Sequence, residues 1–207
     1  MSSIHNSRIC CEESSMGMMR KPLSVKLFFG LLSSDHELLE LCQAKLLERF
    51  GPMDMITEMV PWNHSEYYRT EMGDNLLRQF IFPERLHPPD CLPQIKREVI
   101  DLEAVWSTLV CGKNCRRINI DPGYLTEAKV VLSTTKDYSH RLYIGGNVYA
   151  EVELKYQKER RAFVALDHTY PDFRNAQIIS WFNKAREKLH ATIASEGIST
   201  ADRTTLT

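Results

Sequence analysis

The chain has 207 residues, of which 43% are hydrophobic, so it is long enough and apolar enough to bury one substantial core. Its 26 basic and 27 acidic residues give a formal net charge of -1. This balance removes the usual argument for non-specific nucleic-acid binding, which needs a basic excess or a basic face. No stretch reads as a secretory signal or approaches the length of a membrane span, so we expect a cytoplasmic protein with reduced cysteines.

The two ends of the chain are predicted to lie outside the folded part. Residues 1–20 are polar and carry no regular pattern, and residues 195–207 are rich in Ser and Thr, so both segments are predicted to be disordered. No internal repeat and no linker divides the sequence between them. We therefore expect a single domain over residues 21–194.

The first half of this domain has the pattern strand, helix, strand, strand, helix, strand. An apolar run at residues 25–32 predicts the first strand. Ser34 and Glu37 predict the capping box of a helix that ends at Gly51-Pro52. Further strands are predicted at residues 53–60, 76–82 and 117–120. The second helix has its predicted apolar face at residues about one turn apart: Ile95, Val99, Leu102, Trp106 and Leu109.

This order of elements is that of the split βαβ, or ferredoxin-like, arrangement. Gly145, Gly146 and Asn147 predict a hairpin turn within the second half. Four short strands are predicted there, at residues 129–134, 141–144, 148–156 and 162–166. A last helix begins near Asp172 or Arg174, and its predicted core face is Ile178, Phe182, Ala185, Leu189 and Ile193. The sequence thus predicts an α+β fold, in which a split βαβ half is extended by an antiparallel β-meander and a C-terminal helix.

A first polar connector, Asp121, Pro122, Gly123 and Tyr124, directly follows a predicted strand. Proline before glycine is typical of a type II turn, because proline fixes φ at the first central position and glycine accepts a positive φ at the second. A plain turn is one interpretation. The other is functional, since the turn would place the Asp121 carboxylate and the Tyr124 hydroxyl at a strand end, facing a pocket.

A second connector, residues 133–141, is the densest polar stretch of the chain. Its hydroxyls and basic side chains are suited to surround a phosphate or a carboxylate through charge-assisted hydrogen bonds. Histidine is the side-chain type that titrates near neutral pH, so His140 is the natural acid–base candidate. The alternative is a solvated hairpin loop. The ligand-binding candidates of this stretch are Thr134, Thr135, Lys136 and Arg141.

The entry to the last helix carries further candidates. Aspartate is a preferred N-cap residue, so Asp172 is predicted to cap that helix. Tyr170 is placed to reach the same face as Tyr124 and Tyr149. Arg78 alternates with apolar residues in its strand, and we expect it either to point away from the core or to add an anion contact to the site.

Sequence signatures of common enzymes are absent, including the phosphate loop, the dinucleotide-binding glycine motif, the zinc-protease motif and the hydrolase nucleophile elbow. Cys111 and Cys115 have a nearly zinc-like spacing, but no second Cys or His pair completes four ligands, so no metal site is predicted. Residues 62–74 are predicted to form an irregular connection, either a lid or ordered surface. Residues 155–161 are interpreted as a basic hairpin tip, with RNA contact as the minor alternative.

Several segments together resemble the domain of unknown function 4416 family of uncharacterised prokaryotic proteins. They include Leu-Phe-Phe-Gly-Leu-Leu at 27–32 and the run from Thr134 to Arg141, and the most specific are Asp-Pro-Gly-Tyr-Leu at 121–125 and Thr-Tyr-Pro-Asp at 169–172. The resemblance spans about residues 23 to 190. It implies that the region 121–141 is a site rather than a pair of ordinary turns. Some members of the family carry a GTP-binding label, which implies a nucleotide as one candidate ligand.

Our first hypothesis is that the polar connectors bind a phosphorylated ligand, such as a nucleotide or an RNA end. Lys136, His140 and Arg141 would hold the anion. Asp121 or Glu151 would orient His140 or a metal ion. If the protein is an enzyme, we expect phosphoester or nucleotidyl chemistry with His140 and Asp121 as the catalytic residues. The walls of the site would be three tyrosines: Tyr124, Tyr149 and Tyr170.

The second hypothesis is a non-catalytic interaction module whose exposed tyrosines contact a protein partner. An RNA-contacting sheet ranks below both, because the aromatic, glycine-rich strand signature of RNA-recognition domains is missing. A concave pocket with converging polar groups would favour the first hypothesis, and a flat tyrosine-rich surface the second. The sequence identifies no cofactor and no oligomeric state, and no membrane association is predicted.

Overall fold

A computed structural model of the chain describes residues 21–64, 66–110 and 112–195. The predicted disordered ends lie outside the described residues, except that Ser195 is the last residue of a helix. The α-helices of the described part are α1 (His36–Phe50), α2 (Glu66–Met72), α3 (Leu92–Val105) and α4 (Ala176–Ser195). Short 3-10 helices cover Pro89–Cys91 and Pro171–Arg174. None of these helices is long and apolar enough to cross a membrane.

The strands come from both halves of the chain and nearly all join one sheet. They are β1 (Val25–Ser33), β2 (Met53–Ile56), β3 (Val60–Pro61), β4 (Leu77–Pro83), β5 (Leu86–His87), β6 (Thr108–Val110), β7 (Lys113–Cys115), β8 (Asn119–Leu125), β9 (Lys129–Thr134), β10 (Leu142–Gly145), β11 (Val148–Gln157) and β12 (Ala162–Ala165). The main order is β10-β11-β9-β8-β1-β4-β2, with β12, β3 and β5 pairing at the margins, and β6 and β7 form a separate hairpin. All pairings are antiparallel. The α+β class is therefore confirmed.

The four strands of the predicted first half lie side by side in the sheet as β8-β1-β4-β2. Along the chain, α1 follows β1 and precedes β2, and α3 follows β4 and precedes β8. The ferredoxin-like name for this half stays a prediction. Beyond β8 the sheet continues with β9, β11 and β10 in that order, and β12 also pairs with β11. The strands are antiparallel as predicted, but β9 lies next to β11 rather than β10, so they do not follow the chain order of a meander. Gly145, Gly146 and Asn147 join β10 to β11 with φ values of 99°, 60° and 61°, which confirms the predicted hairpin turn.

Helices pack on both faces of the sheet, which is why every residue of β1 is buried. Leu27, Phe29 and Leu31 face one side and pack with the buried stripes of α1 and α3. Phe28 faces the other side, where its ring meets the ring of Phe182 from α4 edge-on at 4.9 Å. The buried face of α4 contains all the predicted core residues and Trp181.

Three local predictions for the helices are wrong. The N-cap of α1 is Asp35, whose Oδ1 accepts from the Leu38 N–H at 3.0 Å, while the predicted cap Ser34 donates to the Met72 carbonyl at 2.7 Å. The connection predicted as irregular contains helix α2. Helix α3 ends at Val105, so Leu109 is not on its face but lies in β6 with 73% of its surface exposed.

The predicted type II turn at residues 121–124 is also wrong, because β8 continues through it to Leu125. Pro122 directs its carbonyl toward β9, where the Ser133 hydroxyl donates to it at 2.6 Å. Proline has no N–H to offer the same neighbour. The β8–β9 register accordingly covers only residues 123–125 of β8, whereas the β1–β8 register covers residues 119–125. Strands β8 and β9 therefore separate at Pro122.

Gly123 does not adopt a positive φ. A glycine is required here because the Phe28 ring and the backbone of β9 approach its Cα too closely for a side chain. A Cβ at this position would lie 2.3 Å from Cζ of Phe28 and 2.3 Å from the carbonyl oxygen of Val131. The space that glycine leaves empty is the space that the Phe28 ring fills. The Phe28 ring of β1 therefore packs directly over the backbone of the neighbouring strand β8.

We expect the substitution Gly123→Ala to destabilise the protein by about 3 kcal/mol or more, since overpacking a core typically costs about 1–3 kcal/mol and here a backbone oxygen must also move. Urea unfolding measures the loss. Gly30→Ala is the matched comparison, because its Cβ would meet only side-chain atoms, Cε1 of Phe80 at 3.1 Å and a guanidinium nitrogen of Arg78 at 3.3 Å, and no backbone atom. Equal losses in the two variants would contradict the role assigned to Gly123.

Candidate functional site

A cavity of about 300 Å³ opens where β8 and β9 separate. Its walls come from β4, α2, α3, β8, β9, β11, the connector between β9 and β10, and the segment before α4. The lining residues are Tyr68, Arg78, Lys96, Arg116, Asn119, Asp121, Leu132, Ser133, Thr134, Thr135, Lys136, Tyr138, Arg141, Glu151, Glu153, Tyr170 and Phe173. The cavity thus lies between the two polar connectors that the sequence indicated.

The floor of the cavity is a buried ion-pair cluster around Arg78. This arginine of β4 is only 3% exposed and binds Asp172 at 2.8 Å and Asp121 at 3.3 Å. The Trp62 indole N–H donates to the same oxygen of Asp172 at 3.3 Å. Burial opposes the charge of Arg78, but the two carboxylates outweigh it and raise the pKa of the guanidinium. Arg78 therefore faces the site and is permanently charged.

The predicted capping role of Asp172 is wrong. Its carboxylate is fully buried and accepts from Arg78. The residue that caps the start of α4 is Asn175, whose Oδ1 accepts from the Gln177 N–H at 2.8 Å. A buried arginine without a carboxylate partner is strongly destabilising, whereas water or an amide oxygen can accept from the free N–H groups at the start of a helix.

Asp121 connects the floor to helix α3. The ammonium of Lys96 lies 3.5 Å from Oδ1 of Asp121 and donates to the Ile120 carbonyl at 3.1 Å, and the Asn119 amide donates to Oδ2 of Asp121 at 2.7 Å. Burial raises the pKa of Asp121, but Lys96 and Arg78 overcome it, so the net pKa lies below the ordinary value. Asp121 is therefore an ionised anchor for two cations.

Arg116 forms the wall next to α2. Its guanidinium donates to both carboxylate oxygens of Glu71 at 2.6 and 2.9 Å and to Asn119 at 2.8 Å, and it lies over the ring of Tyr68 at 5.7 Å. The hydrogen bonds from Arg116 lower the pKa of Glu71. A bidentate pair of this kind fixes the direction of the arginine.

The opposite wall is built from β11 and the connector after β9. Arg141 binds Oε1 of Glu151 through two nitrogens at 3.0 and 2.9 Å and donates to the Lys136 carbonyl at 3.1 Å, which folds the connector over the cavity. His140 binds the other oxygen of Glu151 at 2.7 Å and stacks on His168 with a centroid distance of 4.8 Å. His140 is not among the lining residues; it lies behind Glu151.

Glu153 is the third carboxyl group of the cavity and differs from the other two. It is fully buried, its Oε2 accepts from the Tyr170 N–H at 2.9 Å, and its Oε1 has no hydrogen-bond partner. Burial, reinforced by the charges of Glu151 and Asp172, raises its pKa to about 8. At neutral pH this carboxyl group is therefore predominantly protonated.

Most of the predicted site residues meet at the cavity: Asp121, Thr134, Thr135, Lys136, Arg141, Glu151 and Tyr170. The other three do not line it. His140 contacts it only through Glu151, Tyr124 packs among the apolar residues beneath α3, and Tyr149 meets Tyr143 edge-on at 5.5 Å. For Tyr124 the reason is the alternation of side chains along β8, which places it opposite to Gly123 and Leu125.

Sequence reasoning missed several lining residues, notably Lys96, Arg116, Asn119 and Glu153. Lys96 lies between core residues on α3, where a lysine is normally read as a solvated position. Glu151 and Glu153 carried a usable signal, because two carboxyl groups two residues apart in an otherwise apolar strand share one face. No group of three or more His, Cys, Asp or Glu side chains in the described part of the chain is arranged to hold a metal ion. Cys111 lies outside the described residues.

Comparison with known proteins adds a family but no activity. The family described as Domain of unknown function (DUF4416) matches residues 23–189, which include every strand of the sheet and most of α4. Neither a curated protein nor a solved structure matches the chain.

The substitution Asp172→Ala is expected to cost about 3–5 kcal/mol of stability, because it leaves Arg78 buried beside a lost partner. The free energy of unfolding in urea measures this. Asp137→Ala is the control, since Asp137 is an exposed residue of the connector after β9, and we expect it to change stability by less than about 0.5 kcal/mol. A stable Asp172→Ala variant would show that the cluster is not needed for folding.

The substitution Glu153→Gln is expected to stabilise the protein as pH rises. The folded-state pKa of about 8 lies above the ordinary 4.5, so between these values the folded protein holds a proton that the unfolded chain releases. The wild-type free energy of unfolding therefore falls with rising pH, by up to about 1.4 kcal/mol per pH unit relative to the variant. Burial also raises the pKa of Glu103, to about 7. Its titration changes the stability of both proteins equally, so it cancels in the difference between them. Parallel unfolding curves across this range would refute an elevated pKa.

Proposed function

The chain belongs to the family of proteins with the domain of unknown function DUF4416, whose description names no activity, and we propose from the cavity that it binds a small ligand carrying a phosphoryl group. The observation that carries this proposal is the convergence of five cationic side chains on one cavity. They are Arg78 of β4, Lys96 of α3, Arg116 of the segment before β8, and Lys136 and Arg141 of the connector after β9.

Phosphoryl oxygens are bound best by charge-assisted hydrogen bonds from arginine and lysine, and by hydroxyl donors. The cavity offers both, since Ser133, Thr134 and Thr135 line it next to Lys136. Ion pairs with Asp172, Glu71 and Glu151 hold the three arginines in place. Because these arginines are already ordered, a ligand would not have to immobilise them, and binding would cost less conformational entropy.

The size of the cavity narrows the class of ligand. A volume of about 300 Å³ lies at the lower end of the range for small-molecule sites. It favours a sugar phosphate or a nucleoside monophosphate over a dinucleotide. A nucleotide such as GTP, or the phosphorylated end of an RNA, would have to leave part of itself outside the walls. The absence of a phosphate loop in the sequence is consistent with recognition by side chains rather than by a glycine-rich backbone.

The alternative of a protein-interaction module has one observation in its favour. The edge strand β10 exposes Leu142 and Tyr143 to 75% and 60%, and Tyr138 in the preceding connector is 57% exposed. Exposed aromatic and aliphatic side chains on a sheet edge are features of association surfaces. This patch is a smaller signal than the cavity, which collects charged side chains from both halves of the chain.

The test is a thermal-shift screen followed by calorimetry with inorganic phosphate, ribose 5-phosphate, GMP and GTP. Ribose and guanosine are the unphosphorylated counterparts. Binding stabilises the folded state by RT ln(1 + [L]/Kd), so we expect the phosphorylated probes to raise the Tm and their counterparts to leave it unchanged.

Lys136→Ala should weaken the phosphorylated probes about tenfold or more, because a hydrogen bond to a charged group contributes about 1.5–3 kcal/mol. Lys158→Ala is the matched control, since Lys158 is an exposed lysine at the β11–β12 hairpin, and its affinity should equal that of the wild type. No response to any phosphorylated probe would refute the proposal and leave the β10 patch as the better candidate.

A further inference from the structure

Glu153 stands out among the carboxyl groups of the cavity because, within the described residues, it has no ion-pair partner. Asp121 lies beside Lys96 and Arg78, and Glu151 is paired with Arg141. No lysine or arginine in the described part of the chain forms an ion pair with Glu153. A buried carboxylate without a cation is costly, so its position needs an explanation other than structural pairing.

The orientation of Glu153 is fixed by the segment before α4. The Thr169 hydroxyl donates to the Glu153 main-chain carbonyl, and the Tyr170 N–H donates to Oε2 of the side chain at 2.9 Å. The second of these hydrogen bonds occupies Oε2. The oxygen left for the cavity is Oε1, which is buried and has no hydrogen-bond partner. Glu153 lines the cavity, and a buried carboxyl oxygen without a partner needs an explanation, for which a bound group is the natural candidate.

The charges around Glu153 determine which form it takes. Burial has the largest effect on its pKa, Glu151 and Asp172 raise the pKa further, and Arg141 lowers it in part, which leaves it at about 8. Since Oε2 accepts an N–H, the proton of the neutral carboxyl group resides on Oε1. Glu153 therefore presents an O–H donor at neutral pH, where an ordinary glutamate presents only acceptors.

We propose that Glu153 is a ligand-binding residue whose carboxyl Oε1–H donates a hydrogen bond to an oxygen of the bound phosphoryl group. The inference rests on the proposed function and deepens it. The complex consists of the phosphoryl compound, the arginine and lysine side chains of the cavity, and one proton shared between Glu153 and the ligand. Ionised Glu153 would instead place a negative charge against the ligand, so loss of that proton opposes binding.

The proton gives the binding a defined dependence on pH. A bound, negatively charged ligand favours the protonated form of Glu153 more strongly than the empty cavity does. Above about pH 8 the free protein has lost this proton and must regain it to bind. The affinity of the wild type for ribose 5-phosphate and for inorganic phosphate should therefore fall about tenfold per pH unit above that value.

Two variants separate a donor role from a merely structural one. Glu153→Gln keeps a donor, the amide N–H, at every pH, so its affinity should lack the fall above about pH 8. Glu153→Leu removes the donor and should bind both probes about tenfold or more weakly at neutral pH. Titration of the probe itself affects wild type and variants alike, so it cancels when their pH dependences are compared.

Calorimetry over pH and infrared difference spectroscopy decide the question. The wild type should show a protonated-carboxyl band that Glu153→Gln lacks, and adding inorganic phosphate should shift it. If the wild type binds the probes while Glu153→Gln keeps the wild-type pH dependence, or Glu153→Leu keeps wild-type affinity, this inference is wrong and the proposed function stands. If neither probe nor any nucleotide binds the wild type, the proposed function fails and this inference fails with it.

Discussion

The site depends on one buried charge, the guanidinium of Arg78. A charged side chain withdrawn from water costs several kcal/mol unless carboxylates and hydrogen-bond acceptors surround it. Asp121 and Asp172 supply that surrounding at 3.3 and 2.8 Å. They are contributed by β8 and by the segment that leads into α4, so the requirement of one arginine in β4 brings three distant parts of the chain to one point. The floor of the cavity and the position of the last helix are consequences of the same ion pairs.

Consecutive residues of β8 then produce the core on one side and the cavity on the other. Gly123 leaves room for the ring of Phe28, which meets Phe182 of α4 at 4.9 Å. Pro122, one residue earlier, has no N–H for β9, and the ladder between β8 and β9 stops there. The strands then diverge, and the polar side chains of both line the gap. A proline within a central strand is normally a defect, but here it marks the boundary between a packed sheet and an open site.

The fold could be read largely from periodicity, and the failures have a common cause. The apolar stripe of α4 and the alternation in the strands are local patterns that burial preserves, and the structure contains them. Ser34, Asp172 and the Pro122–Gly123 pair were misread because each has a strong local preference, for a cap or a turn, that a distant partner outweighs. The Ser34 hydroxyl donates to the Met72 carbonyl, and the Asp172 carboxylate accepts from Arg78. No local window contains those partners.

Only part of the candidate site could be predicted from the sequence, for the same reason. Thr134 to Arg141 is a continuous polar connector, and its composition alone predicts an anion site there. Lys96 and Glu153 are single polar residues within apolar elements, and whether such a residue faces solvent or a cavity depends on what packs against it. Their buried positions, 6% and 0% exposed, follow from α3 and the segment before α4 closing over β8 and β11.

The balance of charge inside the cavity explains why a neutral carboxyl group matters there. Four of the five cations, namely Arg78, Lys96, Arg116 and Arg141, are already paired with carboxylates, so a bound phosphoryl group would add negative charge to a region that contains Asp121 and Glu151. If Glu153 were ionised as well, the carboxyl groups would oppose the ligand from two strands, β8 and β11. With Glu153 protonated, the same side chain supplies a donor where the walls otherwise offer an acceptor. The electrostatic character of the cavity therefore depends on one proton on β11, held there by burial and by the neighbouring charges of Glu151 and Asp172.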